Sequence, residues 1–515
     1  MLKEIQLFVN SHEIIFKVLF VLIIGIIVTV RTVYDFKVRE RQESPSKRSV
    51  LIVNIIFGIL SIVFIPPLMN FVTSDHTSEK KVKEIERLYD DVIDMCQNEE
   101  FDEAQYIWKK LLDEEPENAR YRNGYANTLY ELEDFNASAE QAKEAVRIEA
   151  DNANYQNMAG VIYFQLADYE TAKRYFISAM ELEPDTAKYI QNIALTFNKE
   201  ERYKEACEYF EKALQVLEKG SVKDPNKELK IIFNYGIALD GVSKYEEALV
   251  EFEKVYEQNN DYLNVLQWID MEKARLKVIE NPDDPDAINK FGVCLYDLKM
   301  YDEAYEQFEN AIVIDPKNAN FYYNACYTKY SMKEYEEAID YINKSIELMP
   351  EAKYYINIKK MVKSEQELEY DPKDKELLIK AGRANYIVEL YNRAKTIFSK
   401  GRELYPDSDE FKNYLDLLKR QEEYNSDQKL EIAEKLADIQ YELELYENAA
   451  ELYQILVRNN ENNPSYHNDL GCAYYSMEEY KDAYVCFMRA VELETEDKEA
   501  LKSYKENARL AKEYL

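Results

Sequence analysis

The amino-acid sequence predicts an all-α protein: an α-solenoid of about ten helix hairpins with three extra single helices, preceded by a two-helix transmembrane hairpin. Three observations lead there. Gly and Pro are scarce, at 11 and 13 of 515 residues, so turns must be few and short. An aromatic residue followed three positions later by Ala, once by Ser, recurs from Phe101 to Tyr480. Two long apolar runs precede all of these units.

The apolar runs come first in the chain. Ile14 to Val30 (IIFKVLFVLIIGIIVTV) and Val50 to Val72 (VLIVNIIFGILSIVFIPPLMNFV) each approach the roughly 20 apolar residues that cross a bilayer core. Charges ahead of the first run are balanced and no small-residue cleavage pattern follows Val30, which disfavours a removed signal. We assign an N-terminal tail at 1–13 and a transmembrane hairpin at 14–72, with spans at about 14–33 and 50–72 and a basic loop at 31–49. That loop holds six Lys/Arg against three Asp/Glu, in a chain of net charge -34. Basic loops resist translocation, so the protein is expected in the cell membrane as a multi-pass chain, with its repeats extracytoplasmic. Lys80, Lys81, Lys83 and Arg87 weaken the asymmetry and keep a cytoplasmic array as the alternative.

The repeats follow. YDEAYEQFENAIVIDP (Tyr301 to Pro316), YEEAIDYINKSIELMP (Tyr335 to Pro350) and YETAKRYFISAMELEP (Tyr169 to Pro184) share one frame: aromatic, Ala, bulky, small, Pro. Offsets of three and four put all but the Pro on one helix face, and Pro prevents continuation. About twelve residues upstream stands a second amphipathic segment with a small residue at one place: Ala126, Gly160, Ala194, Gly236, Gly292, Cys326, Gly382, Ala437 and Gly471. Gly inside a helix costs about 1 kcal/mol relative to Ala, so its recurrence implies close helix contact. The unit is a pair of antiparallel helices of about 34 residues. It resembles the tetratricopeptide repeat family, whose length and small-aromatic-Ala-Pro frame these residues match from roughly Lys83 to the C terminus.

Spacing gives the organisation. Steps between the alanines are 34 from Ala104 to Ala206 (Ser138 included) and from Ala304 to Ala338, but 42 from Ala206 to Ala248, which places a loop around Gly220 to Glu228. Steps of 56, 56 and 55 end at Ala304, Ala394 and Ala449, and each has room for one extra helix. The expected stripes are Leu266, Ile269, Leu276 and Ile279; Ile358, Met361, Val362 and Leu368; and Phe411, Tyr414, Leu415 and Leu418. An extra helix redirects the unit that follows, so four repeat segments are expected, at 83–280, 285–370, 375–424 and 430–515. The last ends in a cap helix from Lys498.

Composition narrows function. With 99 Asp+Glu, 65 Lys+Arg and a pI near 4.7, the chain would be repelled by nucleic-acid phosphates, whereas a basic protein partner suits it. Six cysteines form no CxxC and fall at helix-packing places, which favours reduced, shielded thiols. His12, His76 and His467 lie far apart, and no nucleophile elbow, phosphate loop or metal cluster appears. No catalytic residue, metal or cofactor is therefore assigned, and the chain is not expected to be an enzyme.

The resemblance implies a concave surface lined chiefly by the first helix of each unit, where proteins or extended peptides bind. In that register Asn123, Asn157 and Gln191 stand 34 residues apart, and Asn127 and Lys188 lie near them. Carboxamides offer a donor and an acceptor to an extended backbone. The set resembles in part a carboxylate-clamp groove: Asn127 and Lys188 match it, but Asn123 stands where that groove has Lys. A second row, including Tyr130, Tyr296 and Tyr330, places aromatic rings at one position of the first helices. The expected protein is a membrane-anchored scaffold or adaptor; the alternatives are a chaperone for exported or unfolded clients and an accessory subunit of a membrane complex.

Overall fold

A computed structural model describes residues 81–219 and 225–515, in which α-helices follow one another with no strand among the described residues. Two compact units divide the chain at Pro184 and Asp185. The first holds three hairpins: α1 (81–97) with α2 (Phe101–Glu114), α3 (Ala119–Glu131) with α4 (Phe135–Ile148), and α5 (Ala153–Gln165) with α6 (Tyr169–Leu182).

The second unit opens with α7 (Ala187–Lys199) and α8 (Tyr203–Lys219), then α9 (Pro225–Gly241) and α10 (Tyr245–Gln258), and then the single helix α11 (Val265–Glu280). Next come α12 (Pro285–Asp297) with α13 (Tyr301–Ile314), α14 (Ala319–Ser331) with α15 (Tyr335–Leu348), and the single helix α16 (Lys353–Tyr370). The pair α17 (Lys375–Ile387) and α18 (Tyr391–Leu404) precedes the third single helix, α19 (Asp409–Ser426). Last are α20 (Leu430–Glu442) with α21 (Tyr446–Asn459), α22 (Pro464–Ser476) with α23 (Tyr480–Leu493), and α24 (Lys498–Lys512).

One device marks every hairpin. Between its two helices sits a residue of left-handed φ, from Glu99 (62°) to Glu478 (61°), and none of these is Gly. The next backbone N–H then reaches back to a carbonyl five residues earlier, as in Asp134 to Leu129 at 2.9 Å and Leu390 to Asn385 at 2.9 Å. This closes the orphan carbonyls of the first helix and fixes where the second begins. First helices start on side-chain caps such as Asn118, Asn152, Asp284 and Asn463.

Packing within a hairpin depends on the missing side chain. A β-carbon added to Gly160, Gly236, Gly292 or Gly471 would lie 2.5–2.7 Å from the ring of Phe176, Phe252, Phe308 or Phe487, sixteen residues on in the second helix. At Gly382 the overlap with Phe398 is greater still. Where the second-helix residue is smaller, the first helix carries a side chain: Ala126 faces Ala142, and Cys326 accompanies Ile342, all fully buried. Ser138, the one departure from the Ala frame, is accommodated because its hydroxyl donates to the Ala126 carbonyl at 2.7 Å.

Single helices reverse this rule. Each packs on both neighbours yet has no second helix of its own, and in the corresponding stretch α11, α16 and α19 bury Met271, Met361 and Leu417 completely. Four residues further on each carries a polar group that binds a residue 35 positions earlier in the chain. Arg275 pairs with Asp240 and lies 4.4 Å from the Tyr245 ring centroid. Glu365, 2% exposed, accepts from Tyr330 at 3.3 Å, from Asn385 at 2.9 Å and from Arg393 Nε at 2.8 Å. Gln421 accepts from the Tyr386 hydroxyl at 2.7 Å, and that hydroxyl in turn accepts from Gln440 at 2.7 Å. Such groups are costly to bury unless partnered, so each network ties a single helix to one orientation.

Several expectations need correction. Among the described residues no helix is long and apolar enough to cross a membrane. This overturns the expected two-span multi-pass placement in the cell membrane, together with the extracytoplasmic repeats that followed from it. Even α16, at 18 residues, carries Lys359, Lys360, Lys363, Glu367 and Glu369, which hydrocarbon would exclude. The tail 1–13, the spans at 14–33 and 50–72 and the loop 31–49 lie outside the described residues. In α11 the expected stripe holds only in part: Ile269 is buried and Leu276 half-buried, but Leu266 and Ile279 are 49% and 56% exposed, while Met271 and Glu272 are buried. Pro225 to Glu228, expected in a loop, form the first turn of α9. All six cysteines are free, and Cys207, Cys294 and Cys326 are buried.

Two outcomes follow from this packing. Gly382→Ala should destabilise the chain by about 1–3 kcal/mol despite the roughly 1 kcal/mol that Ala gains in a helix. The Phe398 ring has nowhere to retreat, being stacked on Tyr414 at 4.5 Å between centroids. Urea unfolding checks this, and adding Phe398→Leu should restore most of the loss. The second concerns Glu272, which is fully buried, with Arg275 Nε 3.8 Å from its carboxylate. Burial first, and then the Asp240 carboxylate, push its carboxyl up to about 8. The folded chain thus holds that proton more tightly than the unfolded one, and its contribution to stability, complete below the unfolded pKa, is lost as pH rises through about 8. Melting temperature should fall from mildly acidic to mildly alkaline pH, and Glu272→Gln should flatten the slope.

Candidate partner-binding surface

The first-helix faces are what remains once each hairpin has consumed its apolar residues inside. In the first unit Asn123, Asn127 and Tyr130 lie at i, i+4 and i+7 on α3, hence on one side of that helix. Asn123 is half-buried, and its Oδ1 is enclosed without a hydrogen bond from the protein. Asn127 is exposed. Asn157, 34 residues beyond Asn123 on the neighbouring α5, is buried to 5%. The Tyr130 ring meets Phe135 edge-on at 5.5 Å, and its hydroxyl accepts from Gln165 of α5 at 2.8 Å. The first unit thus brings Asn123, Asn127, Tyr130 and Asn157 onto adjoining helices.

In the second unit, Lys188 and Gln191 sit one turn apart on α7, Lys188 exposed and Gln191 buried with its Nε2 enclosed and without a protein partner. Tyr296 and Tyr330 belong to α12 and α14, separated from α7 by four helices, so these pairs are distinct places. Both tyrosines are half-buried struts. Their rings pack on Tyr301 at 5.3 Å and Tyr335 at 6.1 Å, and the Tyr296 hydroxyl meets Ser331 Oγ at 2.7 Å. Burial pushes both phenols above their ordinary range. These links recur at +35 in the chain because the ring points along the stack toward the next first helix, a direction that no single-sequence pattern displays.

The chemistry of this face changes along the second unit. On α14 the sequence ANFYYNACYTKYS carries one charged residue, Lys329, which is buried and paired with Glu334 and Glu337. The rings of Tyr323 and Tyr327 lie 5.1 Å apart, and Tyr354 of α16 adds a third at 5.3 Å from Tyr323. Further on, Glu434, Asp438 and Asp469 make the faces of α20 and α22 acidic; Tyr453 donates to Asp438 at 2.9 Å, and burial raises the Asp469 carboxyl to about 6. Sequence reasoning missed the tyrosine cluster and the cluster of carboxylates, although the uncharged run in α14 signals the first. Among the described residues no group of three His, Cys, Asp or Glu is placed to hold a metal.

Comparison with known proteins agrees with the repeat frame. The family model described as Tetratricopeptide repeat matches residues 153–186, 187–216, 319–351 and 464–497, and a second model of the same description matches 97–154. The TPR repeat-containing protein MJ1428 of Methanocaldococcus jannaschii is 26% identical over 342 residues, covering 56% of this chain, and the chain spans 56% of that relative's length. Among solved structures, YrrB, titled a TPR protein with an unusual peptide-binding site, is 23% identical over 43% of this chain and 99% of its own, with a TM-score of 0.22. A tetratricopeptide repeat protein from Parabacteroides merdae is 15% identical over 54% of this chain and 99% of its own, with a TM-score of 0.33. The segments that the family models cover match tetratricopeptide repeats, and the tetratricopeptide repeat family is the one these comparisons support.

Proposed function

We propose that this protein is a scaffold or adaptor that binds protein partners, as extended segments, on the first-helix faces of its repeats. Proteins built from these repeats generally mediate protein–protein interaction. The observation that carries the reading here is a pair of enclosed carboxamide atoms, Asn123 Oδ1 and Gln191 Nε2, that find no hydrogen-bond partner in the protein. A buried polar atom left unpaired costs about 1–3 kcal/mol, and a peptide backbone supplies the donor or acceptor that each needs. Asn127 and Lys188 add exposed polar contacts beside them, and the edges of Tyr130, Tyr296 and Tyr330 add apolar area at low entropy cost. The joints at α11, α16 and α19 would divide such a scaffold into the four segments expected from spacing.

The test is mutational. Asn123→Ala with Asn157→Ala in the first unit, and Gln191→Ala alone in the second, should each weaken a partner recovered by affinity capture by about 0.5–1.5 kcal/mol per lost hydrogen bond. Binding through the backbone should be nearly insensitive to salt. Equal affinity of the parent and both variants for every recovered partner would falsify this reading of the carboxamides.

A further inference from the structure

A single helix leaves a cleft beside it. Between α16, α17 and α19 lies an open space of about 460 Å³. Its wall on α17 is apolar, made by Ile379, Ala384 and Ile387, which the absence of a second helix after α16 leaves half-buried rather than covered. Lys360, Lys380 and Arg383 stand around that wall. Glu376 and Glu410 also line it, but at the N-terminal ends of α17 and α19, where Lys375 pairs with Glu410 at 2.5 Å, two turns from Arg383. Lys360 is exposed and makes no ion pair among the described residues.

The charge order of α16 runs against its own dipole. No acidic residue occupies its first turn and no basic residue its last; Lys353 opens the helix, Lys359, Lys360 and Lys363 lie in its middle, and Glu367 and Glu369 fall in its last turn. The terminal placements of Lys353, Glu367 and Glu369 are each unfavourable by roughly 0.3–1 kcal/mol, so helix stability does not account for them. The cationic edge already holds an acidic segment, which is the chain's own. The turn between α20 and α21 brings the Glu444 carbonyl 3.3 Å and its carboxylate 3.9 Å from Arg383, and the first turn of α21 brings the Glu447 carboxylate 3.2 Å from Lys353, contacts that span 61 and 94 residues of chain.

We propose that this cleft is a docking site for an acidic, extended segment of a partner protein that seats one apolar side chain against Ile379 and Ile387 and places carboxylates on Lys360 and Arg383. The occupant follows from local charge complementarity, since Lys360 is exposed without an ion pair among the described residues while Lys380 pairs with Glu367 and Arg383 with Glu444, and from the acidic turn already held at the edge. The site goes beyond the carboxamide surface and uses none of its residues.

The probe is a short fluorescein-labelled peptide of glutamates with one central leucine, titrated into the full chain by fluorescence anisotropy. Saturable binding is expected, weakening with salt, and weakening about tenfold with Lys360→Glu or when glycine replaces the leucine, as loss of one charge-assisted or apolar contact implies. Asn123→Ala with Asn157→Ala should leave it unchanged, which separates this site from the carboxamide surface. Glu444→Ala keeps the carbonyl contact but removes the carboxylate that competes for Arg383, without touching the cleft, and should tighten binding. The proposal is overturned if the parent does not bind, if Lys360→Glu binds equally well, if a lysine-for-glutamate peptide binds as tightly, or if Glu444→Ala leaves the affinity unchanged or lower.

Discussion

In five of the hairpins the two helices come together because one gives up a side chain to a ring on the other, and Ala126 with Ala142 and Cys326 with Ile342 fill the same place in two more. The rest of the structure depends on that contact. Phe176, Phe252, Phe308, Phe398 and Phe487 each occupy the volume left by a glycine sixteen residues earlier, and all are buried to within 2%. Because the small residue and the ring face inward together, the aromatic and Ala of the second helix are drawn into the core as well. What each first helix then presents outward is its polar or tyrosine-bearing side, which is the surface proposed to meet partners.

The same constraint explains where the repeat breaks. A helix without a second helix has no ring to accommodate, and Met271, Met361 and Leu417 fill the space with their own side chains. Apolar filling alone does not fix orientation, however. Arg275, Glu365 and Gln421, each four residues after that filler, reach back to the preceding first helix through hydrogen bonds or ion pairs with specific geometry. The single helices therefore interrupt the alternation of paired helices, and α16 leaves an apolar wall of α17 uncovered beside it.

Much of this was legible in the sequence. The aromatic-Ala frame, the upstream small residue and the long steps between alanines located ten hairpins and three single helices, because each signal lies within one helix and has the period of a helix. What lay between helices was not legible. Glu272 is buried beside Arg275, and Glu365 is buried against Arg393, 28 residues after it, so hydrophobic periodicity finds Ile269 but not the rest of the buried face of α11. The links of Tyr130 to Gln165 and Tyr296 to Ser331 likewise depend on how first helices align with one another. At the candidate surface, register identified the carboxamide positions. Which of their atoms lack a partner depends on neighbours that no pattern specifies. The two-span assignment rested on apolar runs at 14–33 and 50–72, and the described helices give it no support.

The central claim is that partners meet the first helices and not the second. Site-specific photo-crosslinking tests it most directly, with a crosslinking residue placed in turn at Asn127 on α3 and at Glu140 on α4, both exposed. The account predicts that a captured partner crosslinks from position 127 and not from position 140. Crosslinking from position 140 alone would place the binding face on the second helices and contradict it.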